Sequence, residues 1–321
     1  RRGAAAAALA TWAGRRGGVA PGPPPGAPGA APARPPAWVV DTLTPLGPSP
    51  QPALSGNRPF VTIACDFNDL PPQSRALDFF RDMYAAGRPG LDHYWREASY
   101  DALNVAGSDA AGPFALPRPR AYYLPDGEAD LDLLVGDCVT TADPAVDFSA
   151  YDGITMAFNG DLGCCAWGGA RTMLLDGQTR LWRTVWLPSR GVANVSVVAH
   201  EMGHSFGLPH SSGDYGLTYD SPWDVMSNDR AGCPAAQDPV YGCVGQGTIA
   251  YHKDLLGWIP AARVYTHAGG EQTISLARLA LPGDDGYLMA RIPINGSASH
   301  FYTVEARQLA DAQRRLNAEL A

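Results

Sequence analysis

Three histidines in one short stretch, His200, His204 and His210, constrain this chain more than any other feature. The first two stand four apart within Ala193–Phe206, where Val195, Val198 and Met202 recur along one stripe, so the spacing predicts a helix. Side chains at i and i+4 share a helical face, which brings the two imidazoles together. Gly207 and Pro209 follow as stop signals. Gly207 admits a backbone conformation that turns the chain sharply and carries His210 back to the other two.

That arrangement has a definite chemistry. Three neutral imidazoles converging on one divalent cation leave a fourth position for water, the pattern of a catalytic zinc rather than a closed structural one. Glu201 is adjacent to the first ligand and is the expected general base for a water acidified by the metal. A bare His-Glu-x-x-His is only moderately specific, but Gly207 and His210 at fixed offsets make coincidence remote. The plainer reading, a helix with satisfied surface histidines, must treat those offsets as accident.

The extended motif His200-Glu201-Met202-Gly203-His204-Ser205-Phe206-Gly207-Leu208-Pro209-His210, followed by Asp224-Val225-Met226-Ser227, resembles the metzincin zinc peptidases. The resemblance implies a methionine turn, with Met226 as an apolar floor beneath the zinc ligands. Wider features resemble the immune inhibitor A family and, less closely, gametolysin-type peptidases. They are the strand Val61–Asp66 with Phe67, the run Tyr94–Tyr100, the ending Lys253-Asp254-Leu255-Leu256-Gly257-Trp258, and Phe301–Arg307. The implied activity is a secreted zinc endopeptidase acting on protein or peptide substrates, with Zn2+ as the one catalytic ion. Some metzincins place a zinc-binding Tyr two residues after the turn methionine. Asn228 stands there in this chain, so no fifth protein ligand is expected. Two readings remain open beside this one: a secreted binding module that keeps a zinc-stabilised fold without turnover, and a zinc hydrolase of non-peptide amides.

Composition bounds the rest. With 45% hydrophobic and 17% charged residues the chain is globular, and a net charge of −8 argues against a nucleic-acid partner. No apolar run approaches the ~20 residues needed to cross a bilayer. Six cysteines without a Cys-x-x-Cys pair suit disulfides in an oxidising, extracellular compartment. Cys233 and Cys243 close a short polar loop and are the expected pair. Cys164 and Cys165 are adjacent, so each is expected to pair elsewhere. Two acidic sets, Asp126/Asp130/Asp132 and Asp143/Asp147/Asp152, are candidates for structural Ca2+, although neither has EF-hand spacing. His93, His252, His267 and His300 lack ligand spacing and read as surface or capping residues.

The expected fold is α/β (α+β), with a twisted mixed sheet packed on the zinc helix and a small β-rich domain after it. Residues 1–58, rich in Pro, Ala and Gly, read as an extended linker or pro-region. Residues 59–258 read as the catalytic domain and residues 259–321 as the β-rich C-terminal domain. Within the middle segment, Phe60–Cys65, Tyr151–Phe158 and Thr184–Leu187 read as strands. Helical spacing recurs around Leu77–Tyr84, Leu91–Ala98, Leu131–Cys138 and Thr248–Leu256, and Leu103–Pro117 reads as hairpin-like. The Trp-rich run Leu181–Leu187 is a candidate edge strand for an extended peptide, its alternative being ordinary sheet core.

Overall fold

Strand β1 (Phe60–Asp66) is buried along its whole length, and the fold is organised around it. Its apolar run lacks alternation because it lies inside a sheet covered on both faces. The computed structural model describes residues 53–211, 219, 221–227, 237–280, 283 and 285–307. A five-stranded twisted mixed sheet runs in the order β2 (Asp109–Ala115), β1, β3 (Gly153–Phe158), β5 (Gln178–Leu187) and β4 (Trp167–Leu175). β1 pairs in parallel with β2 and β3, and β3 pairs in parallel with β5. Only β4, at one edge, runs antiparallel, leading into β5 through a tight turn at Asp176-Gly177.

The two faces of the sheet carry separate cores. On one, Phe60, Val185 and Leu187 meet α1 (Leu77–Met83), α2 (Leu91–Ser99) and α4 (Val195–Ser205) through Phe80, Trp95, Val198 and Met202. On the other, Val61, Ile63, Ile154, Met156, Trp182 and Trp186 meet α3 (Leu131–Ala142) through Leu134 and Cys138. The period-2 geometry of a strand explains the split, since Phe60 and Val61 must point opposite ways. Trp95 is fully buried and stands edge-on to Phe206 with ring centroids 4.9 Å apart. Removing such an aromatic from a core costs roughly 3–5 kcal/mol. The Asp130 carboxylate caps α3 by accepting the Asp132 and Leu133 N–H groups, and the Cys65–Cys138 disulfide ties that helix to β1.

A second, three-stranded sheet follows: β6 (Val264–Thr266), β7 (Met289–Pro293) and β8 (Phe301–Val304). It joins one parallel and one antiparallel pair over a small core of Ala250, Ile259, Leu279, Leu288 and Met289. α5 (Ala250–Leu255) contributes Ala250 to that core. Leu276 joins Tyr287 only through an isolated bridge. Residues 53–58, read above as the end of the extended segment, pair at Gly56–Asn57 with Leu103–Asn104, and the Leu54 N–H bonds to the Leu256 carbonyl.

Several expectations need correction. Leu103–Pro117 is no hairpin, because its two short strands pair in parallel with Gly56–Asn57 and with β1 instead of with each other. The Trp-rich run belongs to β5, an interior strand, and Trp182 and Trp186 are sheet core. The edge strand is β4, whose glycines and partly exposed residues gave no apolar period to read. Cys164 and Cys165 pair with each other, Cys65 and Cys138 being joined inside the core. Cys243 is disulfide-bonded, whereas Cys233 lies outside the described residues. His252 is buried, not a surface residue, because it sits against Asp224. Neither acidic set brings three carboxylates close enough to share an ion. Asp130 is a helix cap, Asp132 pairs with Arg171, and Asp152 pairs with Arg58 and Arg183. Asp147 caps its own short turn.

Candidate metal centre

The helix that presents His200 and His204 begins at Asn194 and packs its Val195, Val198 and Met202 stripe into the first core. Asn194 holds the N-cap position without capping, since its side-chain oxygen accepts from the Cys243 N–H instead. The helix ends in a Schellman arrangement, in which the Gly207 N–H bonds to the His204 carbonyl and the Leu208 N–H to the Gly203 carbonyl. Gly207 has φ +95°, a left-handed conformation that strains any residue with a Cβ. The turn this permits returns His210 to the helix face as the sequence predicts.

The three Nε2 atoms converge. They stand 3.1 Å apart between His200 and His204, 2.8 Å between His204 and His210, and 3.2 Å between His200 and His210. A tetrahedral ion with Zn–N of about 2.0–2.1 Å holds neighbouring donors roughly 3.3 Å apart, so the triangle is close to the size a zinc ion requires. Tautomers fit as well. His200 Nδ1 donates to the Val225 carbonyl at 2.6 Å and His204 Nδ1 to the Leu208 carbonyl at 2.8 Å. With the proton fixed on Nδ1, each of these rings turns an Nε2 lone pair inward. Burial pushes the His204 imidazole down to about 4, and the adjacent His200 and His210 rings act in the same direction. His210 is lowered too, by burial and then by His200. Neutral rings this close, with lone pairs facing one another, repel unless a cation lies between them. Among the described residues this is the one group of three or more potential ligands close enough to share an ion.

Three further features surround the ligands. Met226 is fully buried, and a Cβ placed on Gly203 would run into its sulfur, so the methionine lies against the helix between the two ligand positions. Glu201 is 7% exposed, on the turn of helix that starts at His200, and the backbone of Gly168 in β4 packs directly on the Glu201 carbonyl. A side chain at Gly168 would force the edge strand away from the helix. Tyr219 was not anticipated. Its hydroxyl stands 3.4 Å from each nitrogen of His210, with ring centroids 4.7 Å apart. No spacing rule links it to the motif, so only the folded loop could reveal it. Asn228 lies outside the described residues.

Comparison with known proteins adds no assignment, since no family model and no curated protein matches the chain. No helix among the described residues is long and apolar enough to cross a membrane.

Proposed function

We propose that this chain is a secreted zinc-dependent endopeptidase that hydrolyses internal peptide bonds. The observation carrying the proposal is the convergence of three Nε2 atoms whose rings are fixed in the metal-binding tautomer at His200 and His204. His200, His204 and His210 would hold the zinc ion, which would supply a Lewis acid able to lower the pKa of water toward ~7. Glu201, adjacent in sequence to the first ligand, takes the proton of the attacking water and returns it to the departing amine. Burial of Glu201 keeps that exchange out of bulk solvent. β4 suits the binding of an extended peptide. It is one of the sheet's two edges, its outer backbone groups are unpaired by the sheet, and it touches α4 at Gly168. The disulfides Cys65–Cys138 and Cys164–Cys165 favour an oxidising extracellular compartment.

The test is cleavage of casein by the purified protein. Activity should vanish with a chelator and return with added Zn2+. Glu201→Ala should bind one zinc per chain yet lower kcat by roughly 100-fold or more. A protein that binds zinc stoichiometrically but cleaves neither casein nor a peptide library would instead be a zinc-stabilised binding module.

A further inference from the structure

The turn that underlies the histidines is held by a buried carboxylate–imidazole contact that the motif does not contain. Asp224 is fully buried, and its Oδ2 lies 2.8 Å from Nδ1 of His252, which is 1% exposed. His252 comes from α5, outside the helix and bend that carry the ligands. Asp224 makes contacts toward both arms of the metal centre. Its Oδ2 accepts the Ser211 hydroxyl at 2.5 Å, on the residue that follows His210. Its Oδ1 accepts the Met226 N–H at 3.2 Å, and its carbonyl accepts Gln246 Nε2 at 3.1 Å. The next residue, Val225, supplies the carbonyl that orients His200. Ser211 is bonded to the turn a second time, through its N–H to the Met226 carbonyl.

We propose that Asp224 and His252 form a positioning pair that fixes the orientation of His200 and His210 toward the metal. The proposal rests on the zinc reading above and deepens it. Neither residue touches the ion or the substrate. Asp224 acts on His200 through the Val225 carbonyl and on His210 through Ser211, so one buried carboxylate sets two of the three ligands. Burial alone would raise the Asp224 carboxyl, but His252, Ser211 and the Met226 N–H outweigh it and hold the carboxyl below its usual range. A buried carboxylate is strongly destabilising without its partner, which makes His252 the residue that permits the arrangement. Outer groups that orient metal ligands typically change metal affinity by 10–100-fold when removed.

The experiment measures apparent zinc affinity by competition with a chromophoric chelator, together with the visible spectrum of the Co2+-substituted protein. Far-UV circular dichroism checks the fold of each variant. Asp224→Ala should weaken zinc binding roughly 10–100-fold and alter the cobalt spectrum. Asp224→Asn keeps one acceptor oxygen for the Met226 N–H and an amide N–H2 that can donate to the Ser211 hydroxyl, and should recover part of the loss. His252→Ala combined with Asp224→Ala should be little worse than Asp224→Ala alone, because the two act as a unit. Ser211→Ala removes one hydrogen bond and leaves the buried pair intact, so it tests the idea even where Asp224→Ala fails to fold. It should weaken zinc binding roughly fivefold. Wild-type zinc affinity and an unchanged cobalt spectrum in folded Asp224→Ala or in Ser211→Ala would overturn the positioning role alone. Failure of the wild-type protein to take up zinc would overturn the metal reading and this role with it.

Discussion

The segment Val195–His210 and the turn Ser221–Ser227 both shape the metal centre, but they are held in opposite ways. The first is fixed from within. Its helix, its Schellman end and the His204–Leu208 bond join residues no more than five apart. The second is fixed from outside, by His252, Gln246, the Gly247 carbonyl and Ser211, all remote from it in sequence. A locally bonded segment carries its geometry with it. A remotely held turn depends on each buried partner, because every lost contact strands a polar group in the core.

The two regions meet at Gly203 and Met226, and that contact is where the comparison breaks most sharply. Gly203→Ala would place a methyl group on the Met226 sulfur, which has no solvent to move into. Overpacking of this kind should lower stability by about 1–3 kcal/mol in denaturant unfolding and weaken zinc binding at the same time. Gly207→Ala isolates the local region. A Cβ there meets nothing within 4 Å, so only the backbone strain at φ +95° is felt. The expected loss is about 1–2 kcal/mol, with less effect on Met226 than Gly203→Ala produces. A larger loss from Gly207→Ala than from Gly203→Ala would reverse the ranking of the two regions.

A separate, pH-dependent effect concerns Lys253, which neighbours His252 on α5. Burial, and then the nearby Arg307, push its ammonium down to about 7, against the pull of Glu305, Glu97 and Asp224. In the unfolded chain the lysine keeps its proton up to about 10.5. Between those values the unfolded state binds more protons, so stability rises with pH across that window. Lys253→Met should flatten the rise, as measured by urea unfolding at about pH 7.5 and about pH 9.5. An undiminished slope in the variant would assign the pH dependence to other groups.

Much of the centre was legible in the chain itself. The i, i+4 histidines, Gly207 and His210 act over a few residues, so local geometry already brings them to one side of the helix end, while the orientation of His200 also uses the distant Val225 carbonyl. The same holds for β1, whose unbroken apolar run marks a strand covered on both faces. What was not legible is long-range. β4 has no clear apolar period, and its role as edge comes from pairing with β5 alone. Tyr219 and His252 have no fixed offset from any ligand, and Asp224 reads from sequence only as a residue of the methionine turn.

The sequence by itself determined which three histidines come together and the helical presentation of two of them, because hydrogen bonds between near neighbours leave few alternatives. Only the tertiary structure decided that β5 lies inside the sheet, that Cys164 pairs with Cys165, and that His252 is buried against Asp224. The first and the third depend on which distant surfaces exclude water together, and no residue spacing records that; the second joins two exposed neighbours whose choice of each other no spacing fixed.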